Sequence, residues 1–243
     1  EPKIKKIKLI INDFDIKQLK NLSTSLKPSN FTTFIKNKVT QGKLNSEIEI
    51  YFKDNNSVEN FIARGKVKNL TAEVTNNIIL EKTNFNFFAD KSDILLKNIF
   101  STTESLKISE GDLKLKLSSD ILLETNFKTN LKFNDKLKKN VTFIKDIKYT
   151  KNLSNIEAIL NNSVIITFDK TYKIKKYIYK NSGRILDATY KLEKPFKNSF
   201  LDEEIVQLSL INSEIKTSFS PEKNIINILG KYSLNEERDS SLP

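Results

Sequence analysis

The sequence predicts a mainly β fold, an elongated antiparallel meander sheet with one or two short helices near the N-terminus. Apolar and polar residues alternate with period two along most of the 243 residues, the pattern of strands with one dry and one solvent-facing side. The segments between these runs are short and polar, as in hairpins, and too short for helical crossovers.

Two segments near the N-terminus break the alternation. From Asn30 to Val39 the apolar residues have helical spacing, and Gly42 follows as an end signal. A second helix-like stretch runs from Asp13 to Leu26. These segments are the predicted helices.

The strand runs then follow one another along the chain. Their alternating apolar positions are Ile48, Ile50 and Phe52; Phe85 and Phe87; Leu113, Leu115 and Leu117; Phe127, Leu131 and Phe133; Val164, Ile166 and Phe168; Val206, Leu208 and Leu210; and Ile215 and Phe219. Lys114 and Lys116 occupy the positions between the three leucines, so residues one apart are expected on opposite faces.

Polar segments of hairpin length mark the expected turns. They are Lys53 to Ser57, Glu110 to Asp112, Asn134 to Lys136 and Asn181 to Gly183. The five glycines fall at the ends of runs or inside strands where a bulge would suit, and none belongs to a phosphate-binding loop.

Composition removes most catalytic classes. With no Cys and no His, the chain lacks the residues for thiol catalysis, zinc fingers, disulfides and Ser-His-Asp triads, so we expect a protein that is not an enzyme and holds no cofactor or metal. The net charge of +11 comes mostly from lysine, because only Arg64, Arg184 and Arg238 among 41 basic residues are arginine. Arginine is the residue that forks onto phosphates and guanines, so no specific nucleic-acid partner is expected.

The ends of the sequence suggest a piece of a longer protein. It begins Glu1-Pro2 and contains no Met. We expect one elongated β-rich segment over 1–243, with a possible joint near 134–140 and a polar linker at 235–243.

Four phrases resemble a known family. They are Gly42 to Phe52, Phe61 to Leu70, Leu95 to Ile99 and Ile108 to Leu115, within a match from Phe31 to Phe133. Their order of glycines, strands and apolar-x-Asn steps is similar to the AsmA-like family, closest to its large periplasmic branch of the YhdP and TamB type.

The resemblance implies both a shape and a function. Members have a long, curved sheet, a β-taco, whose concave side is an apolar groove. They are anchored in the inner membrane of Gram-negative bacteria, bridge the periplasm toward the outer membrane and are implicated in phospholipid transport and outer membrane biogenesis. The implied partners are phospholipid and, through parts outside this segment, the two membranes. The family has no shared catalytic residues.

Eleven apolar positions are the candidates for lining such a groove. They are Ile48, Ile50, Phe52, Phe85, Phe87, Leu113, Leu115, Leu117, Phe127, Leu131 and Phe133. The alternation alone also allows a barrel, a sandwich or a sheet curled around a ligand. The competing function is a ligand-free structural or adhesive β-repeat segment of a cell-envelope protein, in which these residues form ordinary core.

Overall fold

The computed structural model describes residues 4–18, 33, 36–75, 78–103, 105–133, 152–171, 173–197 and 204–235. Within these residues eleven strands form one antiparallel sheet, which confirms the predicted mainly β meander. The strands are β1 Lys6–Asp15, β2 Val39–Phe52, β3 Val58–Thr75, β4 Ile78–Asp90, β5 Asp93–Thr102, β6 Leu106–Leu117, β7 Ile121–Phe133, β8 Leu153–Phe168, β9 Ile174–Phe196, β10 Ile205–Phe219 and β11 Asn224–Leu234.

The strands lie side by side in chain order, and the sheet is open. β1 and β11 are its two edges, and no pairing joins them among the described residues. The substantial contacts in this part of the chain are between strands adjacent in sequence, together with those of a 3-10 turn on β2. A closed barrel is therefore not the arrangement of the described strands.

The helical content near the N-terminus is small, as expected, but its bounds differ from the prediction. A 3-10 turn covers Ile16–Gln18, and residues 33 and 36–38 are helical. The last three residues of β1 are Asp13, Phe14 and Asp15, and Val39 begins β2, so the predicted helices were wrong at these four positions. Residues 19–32, 34 and 35 lie outside the described part.

Two of the predicted turns are wrong. Lys53 to Ser57 is the β2–β3 hairpin, with the Ser57 carbonyl accepting from the Lys53 N–H at 2.9 Å. Glu110 to Asp112 instead lies inside β6, and Asn181 to Gly183 lies inside the 23-residue β9. The prediction failed because Gly and Asn are typical of bulges and of close backbone contacts within strands as well as of turns. Asn134 to Lys136 is outside the described residues.

A row of β-bulges crosses the first six strands. Each carries a residue with unusual backbone: Asp13 (φ 49°), Gly42 (φ 151°), Asn69 (φ 50°), Lys82 (φ 49°), Asn98 (φ 56°) and Glu110 (φ 53°). The register shifts where these residues occur, from the β1–β2 pair to the β6–β7 pair. Bulges bend a strand and increase its twist, so we expect the sheet to bend along this line of bulges.

Side chains of the neighbouring strand satisfy several bulged amides. The Asn69 N–H donates to the Asn84 Oδ1 at 3.0 Å, and the Asn98 N–H donates to the Asp112 Oδ1 at 3.3 Å. The Asp13 N–H donates to the Oδ1 of Asn45 at 3.1 Å. These bonds replace ladder bonds that a bulge removes, which stabilises it.

Two glycines permit a close approach between strands. A Cβ added to Gly65 would lie 2.1 Å from the carbonyl oxygen of Asn45, and one added to Gly183 would lie 2.1 Å from that of Ile159. The obstacle is backbone in both cases, so it cannot move aside as a flexible side chain would. Only glycine fits these positions.

The possible joint at 134–140 and most of the predicted linker lie outside the described residues. β7 and β8, on either side of that joint, pair from Ile121 opposite Phe168 to Phe133 opposite Ile156 without a register shift. Asn235 is held to the sheet, because its Nδ2 donates to the Glu204 carbonyl at 2.7 Å.

Candidate functional site: the apolar face of the sheet

The two faces of the sheet differ in burial. We call the face that bears Leu115 the apolar face and the one that bears Lys114 the polar face. Nearly all fully buried side chains, from Val39 to Thr217, lie on the apolar face, and the exceptions are Thr189 and Ser209, which pair on the polar face. Such an imbalance is expected when a sheet bends toward one side, because side chains on the inner side crowd together.

The alternation and the cross-strand pairs place all eleven predicted groove residues on the apolar face. Leu115 pairs with Ile94 and Leu123, Ile48 pairs with Leu9 and Ala63, and Leu131 pairs with Leu106 and Ala158. Phe133 is buried, Leu117 is exposed, and the other nine are partly buried. The eleven residues therefore share a face. They lie on β2, β4, β6 and β7, and of these strands only β6 and β7 are neighbours in the sheet.

One line of directly paired residues crosses nine strands without a polar residue except the tyrosine at its end. We call it the apolar row, and in order from β1 to β9 it consists of Leu9, Ile48, Ala63, Ala89, Ile94, Leu115, Leu123, Ile166 and Tyr177. None of these residues is buried. At a strand spacing near 4.8 Å, the row is about 38 Å long.

Sequence reasoning found only part of this row. Ile48 and Leu115 were among the predicted groove residues, whereas Ala63 and Ala89 were missed because alanine contributes little to an alternation pattern. Leu123 was missed although it lies an even number of residues from Phe127 and Leu131 in the same strand, which would have predicted its face. The pairing partners were the missing information.

At the N-terminal corner of the apolar face, side chains pack into a small buried cluster. Ile16, from the 3-10 turn, packs with Val39, Val67 and Ala72 in a buried cluster. Phe85 and Phe87, both predicted groove residues, pack against this cluster. These two phenylalanines therefore contribute to a small core, while the apolar row beside them is partly exposed.

Polar residues interrupt the apolar face, which the sequence-based expectation of an all-apolar face did not include. We call six of them the polar seam: Thr83, Ser101, Thr129, Asn162, Asn181 and Thr217. The Thr83 and Ser101 hydroxyls lie 2.7 Å apart, and Ser101 is 0% exposed. Their positions inside the apolar register, such as Thr129 between Phe127 and Leu131, are the sequence signal that could have found them.

Side-chain hydrogen bonds link the seam across β7, β8 and β9. Asn162 Nδ2 donates to Thr129 Oγ1 at 3.1 Å, and the Tyr179 hydroxyl donates to Asn162 Oδ1 at 2.9 Å. Asn181 Nδ2 then donates to the Tyr179 hydroxyl at 3.0 Å. At the far end, Asn181 Oδ1 and Thr217 Oγ1 are buried without a hydrogen-bond partner within the described structure.

Charged pairs cover the polar face near the N-terminus. Glu47 Oε1 accepts from Arg64 at 2.6 Å and from Lys8 at 3.1 Å, and these contacts, Arg64 first, lower the pKa of Glu47 below its ordinary value. Glu49 pairs with Lys6 at 2.8 Å, which lowers the pKa of Glu49 in the same way. This part of the polar face is thus a solvated surface that bears ion pairs.

The described residues contain no group of three or more acidic side chains placed to hold a metal ion. No helix among them is long and apolar enough to cross a membrane. No protein-family model, curated protein or solved structure matches the chain.

Proposed function

We propose that the apolar face is a path for lipid acyl chains, and that the chain is a segment of an AsmA-like periplasmic protein that carries phospholipid between the inner and outer membranes. The observation that supports this best is the apolar row. It runs across nine strands, and none of its residues is buried by the described structure.

The energetics favour a lipid ligand. Exposing a methylene to water costs about 0.8 kcal/mol, so an acyl chain of about 16 methylenes costs on the order of 13 kcal/mol. A partly exposed apolar row of about 38 Å offers a surface on which much of that cost is avoided. The row carries no ionised side chain, so an acyl chain meets no charge along it.

The competing function is a ligand-free structural or adhesive segment. In that case the apolar face is covered by protein in the complete molecule, and the purified chain carries no lipid. The first experiment is therefore lipid extraction and native mass spectrometry of the wild-type chain purified from cells. We expect bound phospholipid, and a folded, lipid-free wild type would contradict the proposal.

Leu115→Asp tests the row at its centre. A charge placed where an acyl chain must lie costs several kcal/mol without compensation, so we expect lipid to be lost from a chain that still folds. Lys114→Asp changes the polar face one residue away and should leave lipid content almost unchanged. Thermal melts of both variants accompany the extraction. A Leu115→Asp variant without a cooperative melt would favour the structural function.

A second variant blocks the row without a charge. Ala89→Trp adds a large side chain between Ala63 and Ile94, where the present side chain is small. We expect less bound lipid than in the wild type, because the bulky ring occupies the path. Asn86→Trp, exposed on the polar face of the same strand, is the matched control and should retain lipid.

A further inference from the structure

The two edges of the sheet differ in how they are protected. β1 has four charged residues, and Lys6 and Lys8 form ion pairs with β2. Its bulge at Asp13 and the 3-10 turn that follows also interrupt it as a template for another strand. Charges and bulges are the usual means by which natural sheets prevent edge pairing.

β11 has none of these protections. Its eleven residues include a single charge, Lys231, and four aliphatic side chains are exposed on the two faces: Ile225 and Leu229 on the polar face, Ile226 and Ile228 on the apolar face. The Tyr232 ring is also exposed, on the apolar face. Leu229 is 77% exposed. Every second residue of an edge strand also turns its N–H and C=O outward, and no described strand lies beside them.

The sequence of β11 is complementary to itself. In an antiparallel pair of two copies centred on Asn227, Ile225 of each copy lies opposite Leu229 of the other, and Ile226 lies opposite Ile228. Both pairings keep each residue on its own face, because the residue numbers of opposing partners then have the same parity. One register therefore places all four exposed aliphatic side chains opposite aliphatic partners at once.

We infer that the β11 edge is the docking surface for a second copy of this chain, joined by antiparallel β11–β11 pairing about a two-fold axis through Asn227. The axis is perpendicular to the sheet, so the apolar faces of both copies lie on the same side of a single 22-stranded sheet. The interface is isologous and closes at two copies, because it uses the only unprotected edge of each described sheet. This inference does not depend on lipid binding.

A cysteine variant tests the register directly. The chain has no Cys, so Asn227→Cys introduces its only thiol. Directly opposed residues of an antiparallel pair have Cα atoms about 4.5 to 5.5 Å apart, within disulfide range, whereas two copies of residue 225 would be about 13 Å apart. We expect rapid cross-linking of Asn227→Cys under mild oxidation and little for Ile225→Cys. Equal rates for the two variants would overturn the register.

Sedimentation of the full chain over a concentration series tests the association itself. We expect a wild-type dimer that Leu229→Lys weakens by about tenfold or more. The control is Ile10→Lys on the β1 edge, a side chain 66% exposed, which should dimerise as the wild type does. A monomeric wild type, or a dimer that Ile10→Lys weakens and Leu229→Lys does not, would overturn the inference.

Charge rescue and salt complete the test. Ile225→Glu and Leu229→Lys each place a charge against an apolar partner. Combined in one chain, they place opposite charges across the two-fold axis twice, so the double variant should associate more tightly than either single one.

In the same register Lys231 lies opposite Lys223 of the second copy. Wild-type association should therefore strengthen with salt, and weakening with salt would contradict this register.

Discussion

The apolar row crosses two regions of the sheet that differ in the regularity of their strand pairing. In β1–β6 each pair of neighbouring strands has a register shift, whereas β7 and β8 pair over thirteen residues without one. In β7 the residues of the apolar face keep odd numbers from Ile121 to Phe133. In β3 the apolar face changes from odd, at Val67, to even, at Leu70, because the bulge at Asn69 adds one residue.

The difference shows what the bulges do to the sequence pattern. A bulge reverses the period-two phase, so the apolar positions must change phase with it or the second half of the strand would turn its apolar side chains to solvent. β3 and β6 follow this rule, since Leu106 and Ile108 precede the bulge of β6 and Leu113 and Leu115 follow it. The bulged region is thus encoded by breaks in alternation, and the β7–β8 region by their absence.

The largest expected effect is at the two glycines that contact backbone. Gly65→Ala in the bulged region and Gly183→Ala beside β8 should each lower the free energy of unfolding by about 3 kcal/mol, because the added methyl would collide with a carbonyl oxygen. Urea denaturation measures the change. Lys66→Ala and Ser182→Ala, at adjacent exposed positions, are the controls. A change at Gly65 no larger than at Lys66 would show that the backbone there relaxes.

Glycine substitutions should have opposite signs in the two regions. Lys82 holds a positive φ of 49° at the bulge of β4, so Lys82→Gly should raise the free energy of unfolding by about 1 kcal/mol. Asn130 is exposed in the regular strand β7, so Asn130→Gly should lower it by about 1 kcal/mol. Thermal and urea unfolding give both values. The same sign at both positions would contradict the role assigned to positive φ.

A smaller effect is expected where a side chain satisfies a bulged amide. Asn84→Ala removes the acceptor of the Asn69 N–H and should cost about 0.5 kcal/mol, since the amide can still reach water. Asn86→Ala, two residues along on the same face, should be close to neutral. Hydrogen exchange at the Asn69 amide adds a local readout, and unchanged protection there in Asn84→Ala would contradict the assigned bond.

The smallest effect is the pH dependence of the charged pairs on β1, β2 and β3. Arg64 and Lys8 lower the pKa of Glu47 in the folded state relative to the ordinary value of 4.5. The stabilisation by this group is therefore present above that value and is lost as the pH falls through the lowered pKa. Glu47→Gln should reduce the acid-induced loss of stability, measured by urea unfolding at acidic and neutral pH.

The sequence predicted the strand class, and within each strand the residues that share a side, because both follow from period two. It did not predict the strand bounds around Gly111 and Gly183, since glycine and its polar neighbours are equally typical of turns. It also missed the polar seam, because one threonine or asparagine in an apolar phase, such as Thr129 or Asn162, changes a periodicity very little. The apolar row depends on which residues pair across strands, and alternation within one strand carries no such information.

In the open meander, the stability of each described strand depends on its contacts with the strands next to it in the chain. Each described strand has its substantial contacts with its chain neighbours, so the unfolding of β11 withdraws support from β10 and leaves β2 untouched. Nearest-neighbour models of repeat proteins describe this situation, in which cooperativity decays along the array and the ends fray first. Because contacts are local, the sheet can also gain or lose strands. Inserting or removing one hairpin changes the number of strand–strand interfaces by two, whatever the total number of strands.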